Sequence, residues 1–151
     1  MRVRFVTCAE SVSLDARRNA LSLFHLIEEM TVPAFPVVIP QLSIVALFER
    51  AEDEPELADL TVRIVLNEQE IFRGPIDLRF AGHLRMRWLT DVRGLVIPSP
   101  GTLAFIIYAG AQELGAWTIS VLNIGQVVVQ GELPLEVPPL DVVDAREPNE
   151  A

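Results

Sequence analysis

The chain has 151 residues, half of them hydrophobic, and a formal net charge of −9, which suits one domain with a core of its own. The acidic balance disfavours a nucleic-acid binder, because phosphates must be met by clustered cations. No apolar run reaches the roughly 18–20 residues that a membrane helix needs.

All twelve basic residues are arginine, a bias that fits a GC-rich bacterial genome. Cys8 is the only cysteine, so no intrachain disulfide is possible. A lone thiol in a strand reads as a small buried hydrophobe. Met1-Arg2-Val3-Arg4-Phe5 begins no apolar run long enough for a signal peptide, so the expected location is the cytoplasm.

Val3 to Cys8 alternates and predicts a first strand, followed by a polar turn in which Asp15 or Asn19 supplies the geometry. Ala20 to Val32 is ambiguous. Leu23, Leu26, Ile27 and Met30 fit a helical stripe, but the segment runs into Pro33 inside a β-rich chain, and strand is favoured over helix. Three prolines between Pro33 and Pro40 predict a stiff extended crossing. Leu42 to Glu49 reads as a strand and Arg50 to Glu56 as an acidic, solvated loop.

Leu60 to Leu66 alternates cleanly, with Leu60, Val62, Ile64 and Leu66 inward. Asn67 to Glu70 predicts a hairpin loop. Ile71 to Phe80 continues as a strand interrupted at Gly74-Pro75. From Gly82 to Val96 one phase puts Leu84, Met86 and Trp88 in the core and His83, Arg85 and Arg87 on the opposite face.

Pro98-Ser99-Pro100-Gly101 must stop the ladder, since two donors are missing there. Thr102 to Tyr108 then suits a strand buried on both faces. A turn at Ala109 to Gln112 returns a strand to Val121. Val127 to Val129 and Leu133 to Val137 read as one or two further short strands, and residues 138–151 as an acidic, proline-rich tail. The expectation is all-β: an antiparallel β-sandwich of about eight or nine strands with Greek-key connections, one domain over residues 1–137.

The pattern resembles an uncharacterised bacterial family of small β-sandwich proteins known only as a domain of unknown function. Leu23-Phe24-His25-Leu26-Ile27 followed by Phe35-Pro36 carries the likeness first, then Val45-Ala46-Leu47-Phe48-Glu49. The stretch from Gly94-Leu95 through Pro98-Ser99-Pro100-Gly101 to Phe105 carries it again. The likeness covers roughly residues 3–121; Leu103 stands where the family often has Tyr, and the segment after Val121 departs from the pattern. It implies a fold and a bacterial source, and it brings no activity and no catalytic residues.

Chemistry is hard to find. His25 and His83 lie far apart in sequence, no Cys-x-x-Cys or His-x-His occurs, and no metal or other cofactor is expected. No glycine-rich phosphate loop or nucleophile elbow appears. The carboxylate pairs Glu28/Glu29 and Glu68/Glu70 read as solvated surface. One constellation remains: His83, Arg85 and Arg87 at two-residue spacing form a possible anion or partner patch, set against a solvated face ion-paired to Asp77 or Glu70. Strands apolar on both faces suggest surplus buried surface. The leading expectation is therefore a non-enzymatic protein-interaction or assembly module, oligomeric. The alternative is a sandwich that holds a small anion or sugar on its Arg/His face.

Overall fold

The structure is a computed structural model that describes residues 1–56 and 58–126. The short strands and the tail expected beyond Gln126 lie outside the described residues.

Among the described residues nine strands form two packed sheets: β1 (Arg2–Asp15), β2 (Ala20–Leu26), β3 (Glu29–Val32), β4 (Val37–Glu49), β5 (Leu60–Leu66), β6 (Gln69–Ile76), β7 (Arg85–Ile97), β8 (Gly101–Ala109) and β9 (Gln112–Asn123). One sheet has the order β2-β1-β4-β7, the other β3-β9-β8-β5-β6. The chain crosses between them after β2, β3, β4, β6 and β7. The fold is the expected β-sandwich.

The core fills the space between the inner faces. Leu42, Ile44, Ala46 and Phe48 of β4 meet Leu60, Val62, Ile64 and Leu66 of β5 and Leu103, Phe105 and Ile107 of β8. The β5 alternation is the one read from sequence: its four inward residues are buried and Thr61, Arg63 and Val65 are half-buried.

The ambiguous segment 20–32 is not one element. It is two strands, β2 and β3, that belong to opposite sheets. β3 pairs parallel with β9, Glu29 with Ser120 through Val32 with Asn123, so the sandwich is not wholly antiparallel. The helical stripe was an accident of two consecutive strands of different phase.

Pro40 sits inside β4 rather than in a crossing. β1 pairs with β4 only over Ser43–Glu49, so the backbone around Pro40 has an open side where a missing donor costs nothing. Pro98-Ser99-Pro100 does form the corner, taking the chain from β7 in one sheet to β8 in the other. Asn67 clamps it: its side chain donates to the Pro100 carbonyl and accepts from the Thr102 amide, both at 3.0 Å. Gly101 has φ +145, and a Cβ there would collide with that Asn67 side chain.

Three expectations need correction. Thr102 to Tyr108 is not buried on both faces; Leu103, Phe105 and Ile107 are fully buried, while Ala104, Ile106 and Tyr108 are half-buried on the outer face. The strand after Ile71 ends at Ile76, so Asp77 and Arg79 lie outside it, although Leu78 and Phe80 still plug the core. The single phase over residues 82–96 also fails. β7 begins only at Arg85, and Leu84 is 42% exposed instead of buried. Met86, Trp88 and Val92 pack on the core, but the next inward residues are Leu95 and Ile97. The phase slips by one at Gly94, which has φ +66, and β4 slips opposite it, from Ile39 to Leu42. Because both strands slip together, the pairing survives.

Candidate functional site

The outer face of the four-stranded sheet carries an apolar strip, Ala9, Val45, Phe5, Leu47 and Leu89, between polar ends. On β4, Ser43, Val45, Leu47 and Glu49 point away from the main core, as their β1 partners do: Ala9, Thr7, Phe5 and Arg2. On β7 the partners are Asp91, Leu89, Arg87 and Arg85. Val45 and Ala9 are fully buried yet belong to no part of the intersheet cluster. Around them Phe5, Leu26 and Leu89 are 41%, 48% and 38% exposed. Thr7, opposite Val45, keeps a buried hydroxyl with no hydrogen-bond partner. This is a second, smaller apolar layer that the described residues leave half open.

A groove of about 510 Å³ runs along the β7 side of this layer. Its apolar floor is Leu14, Leu47, Met86 and Leu89, and its polar walls are Asn19, His83, Arg85 and Arg87. The three residues of the sequence-read patch are thus brought together in one place. They do not share a strand: His83 lies in the turn before β7, its amide bonded to the Phe80 carbonyl at 2.9 Å.

Each arginine has a partner the sequence did not offer. Arg85 donates to Glu49 at 2.8 Å, and not to Asp77 or Glu70. Glu70 instead holds Arg73 and Arg63. Arg2 also donates to Glu49, at 2.6 Å, and Arg4 reaches it at 3.4 Å. Bonds from Arg85 and Arg2 hold the Glu49 carboxyl below the usual carboxylate range. One carboxylate among three guanidiniums leaves the site strongly cationic. Arg87 donates to the Asn19 carbonyl at 3.0 Å and to its side-chain oxygen. That bond draws the tip of the β1–β2 hairpin to the groove, where Asp15 caps the Arg17 and Arg18 amides.

Arg50 underlies the site. Its acidic neighbours in sequence predict a solvated loop, but it is 8% exposed. Its guanidinium donates to the carbonyls of His83, Ala51, Glu52 and Glu54 and to the Glu56 carboxylate, and it lies 5.5 Å from the Phe80 ring centre. Glu56 in turn accepts from the Gly82 amide at 3.0 Å. So Arg50 and Glu56 fix the backbone that presents His83. The signal was present only as an arginine beside an acidic run, which reads as surface.

Among the described residues no three His, Cys, Asp or Glu side chains converge. Cys8 is buried, and burial pushes its thiol far up, which leaves it no thiolate to react. No helix among the described residues is long and apolar enough to cross a membrane.

The arrangement defines a β-sandwich whose four-stranded sheet bears, on its outer face, a groove floored by leucines and walled by arginines. The model of a family described as a family of unknown function (DUF6941) matches residues 4–122, and the chain belongs to that family. No curated protein matches the chain.

Proposed function

We propose that this chain is a non-enzymatic module that binds another polypeptide on the outer face of its four-stranded sheet, through a segment that is both acidic and apolar. The observation that supports this is the buried pair Val45 and Ala9, outside the main core, under a half-open apolar layer with arginines at its edge. Leucines offer burial to apolar side chains, and guanidiniums offer forks to carboxylates. A bare small anion fits less well, because it would leave the floor of Leu14, Leu47 and Leu89 uncovered. The arginine-only composition and the lone buried thiol fit the cytoplasm of a bacterium.

The test is a titration of the isotope-labelled full chain with a synthetic peptide of alternating leucine and glutamate, followed by amide NMR. Shifts concentrated at Leu14, Leu47 and Met86 to Leu89 are expected, with none for a leucine–lysine peptide. Shifts absent from that face, or equal for both peptides, would overturn the reading.

A further inference from the structure

Among the described residues each sheet has two free edges: β2 and β7 on the four-stranded sheet, β3 and β6 on the other. A free edge is a row of unpaired amides and carbonyls, and it recruits another strand unless something blunts it. Most of these edges are blunted. β6 carries Pro75 and a bulge at Ile71, which has no counterpart on β5. β3 is four residues long and runs into Pro33. β2 is broken near its end by His25, whose φ is +54. β7 differs. From Arg85 to Arg93 it holds no proline, no glycine and no positive φ, and its other side pairs with β4 in unbroken register.

We propose that the free edge of β7 is a self-association site. Two copies pair Arg85–Arg93 with Arg85–Arg93, antiparallel, about a twofold axis at Leu89, and join their four-stranded sheets into one continuous sheet. The inference goes beyond the binding face proposed above, because it uses the edge of the sheet and a second copy of the chain.

Symmetry and sequence select the register. A twofold axis normal to the sheet keeps both outer faces on one side, so outward residues of one β7 meet outward residues of the other. With the axis at Leu89, the two exposed leucines meet, and Asp91 of each copy meets Arg87 of the other. Arg87 spends only Nη2 on Asn19, and Asp91 accepts the Ser43 hydroxyl on Oδ1 at 2.7 Å, so each keeps atoms for the new ion pair. At the ends Arg93 faces Arg85, whose charge is offset by Glu49 at 2.8 Å. On the inner phase Trp88 meets Thr90 and Met86 meets Val92, all half-buried. Neighbouring registers are worse. An axis at Thr90 sets Arg87 against Arg93 and Leu89 against Asp91. An axis at Asp91 sets carboxylate on carboxylate, and one at Trp88 sets Leu89 against Arg87.

The surroundings of the edge agree. A cleft of about 500 Å³ opens on its inner side, between β7 and β6, lined by Ile71, Phe72, Trp88 and Val92. The arginine-walled groove flanks its outer side. A strand added at β7 narrows the mouths of both and covers Leu89. It also sets the apolar strips of two copies end to end across the axis.

The experiment is sedimentation equilibrium of the full chain at micromolar concentration, where twice the mass of one chain is expected. Asp91→Arg sets guanidinium against guanidinium on both sides of the axis and should give a monomer. Adding Arg87→Asp restores opposite charges and should restore the dimer. Leu89→Cys should link two copies under mild oxidation, because facing Cα atoms lie about 4.5–5.5 Å apart, within reach of a disulfide. Arg93→Cys should not, because two such residues lie roughly 26 Å apart at about 3.3 Å per residue. Cys8 is buried and does not compete for the oxidant. A monomeric native chain, a dimer that survives Asp91→Arg, or linking at Arg93→Cys without linking at Leu89→Cys would overturn the proposal. A monomer that still binds the leucine–glutamate peptide removes the dimer and leaves the binding face standing.

Discussion

Arg87 donates to the carbonyl of Asn19, 68 residues earlier, at 3.0 Å. This bond joins an edge strand of the sandwich to the tip of a hairpin whose residues beyond Ala9 are otherwise mostly exposed. It also puts Leu14 and Leu89 on the floor of one groove.

Arg87→Ala should free that tip. Both partners are exposed, so the cost to global stability is small, about 0.5–1.5 kcal/mol. Hydrogen exchange at residues 14–20 should quicken while exchange in β4 stays unchanged. Equal protection in the variant would show that the tip is held by something else.

Arg50→Ala should be far worse. It removes the buried guanidinium that ties together the carbonyls of His83, Ala51, Glu52 and Glu54, which belong to exposed or half-buried residues that water can reach. With a net contribution of about 0.5–1.5 kcal/mol for each lost bond and the packing on Phe80 lost as well, a loss of about 2–4 kcal/mol is expected in urea unfolding. Arg50→Lys should not rescue it, since an ammonium cannot fork to diverging acceptors.

Gly101→Ala and Asn67→Ala should not add. The first meets both a positive φ and the Asn67 side chain; the second loses the corner clamp. In the double variant the collision is gone and only the backbone strain of about 1–3 kcal/mol and the lost clamp remain. Strict additivity in denaturant unfolding would mean the two sites act independently.

Glu49 gives a pH signature. Its carboxyl is held below the usual range by Arg85 first and Arg2 second. A depressed native pKa means that its stabilisation is present above the ordinary carboxylate range and is lost as pH falls through the depressed value. Glu49→Gln should therefore flatten part of the acid limb of the stability curve and leave its alkaline limb alone. An unchanged acid limb would remove the ion-pair account.

The legible parts of this fold were those in which one residue decides one thing. Pro98 and Pro100 cannot continue a ladder, and a corner lies there. Val62 and Ile64 alternate with Thr61 and Arg63, and one face of β5 is buried. Other features depend on partners distant in sequence. The slip at Gly94 is harmless only because β4 slips at Pro40, and neither strand reveals the other. Leu84 looked inward only if that slip and the late start of β7 were ignored. Val45 and Leu89 are hydrophobic like core residues, and pattern alone cannot say that their apolar face points away from the second sheet. Arg50 is an ordinary surface letter until the loop from Ala51 to Glu56 turns its carbonyls toward it. The His83, Arg85 and Arg87 patch was visible as spacing; its leucine floor was not, because Leu14 arrives from another hairpin.

The most direct test of the binding face is calorimetry of the leucine–glutamate peptide against the full chain and its Arg85→Glu, Arg87→Glu variant. The predicted result is saturable binding to the native chain, weakened at least tenfold, about 1.4 kcal/mol, by the charge reversal. Equal affinity for both proteins, or no heat with either, would contradict it.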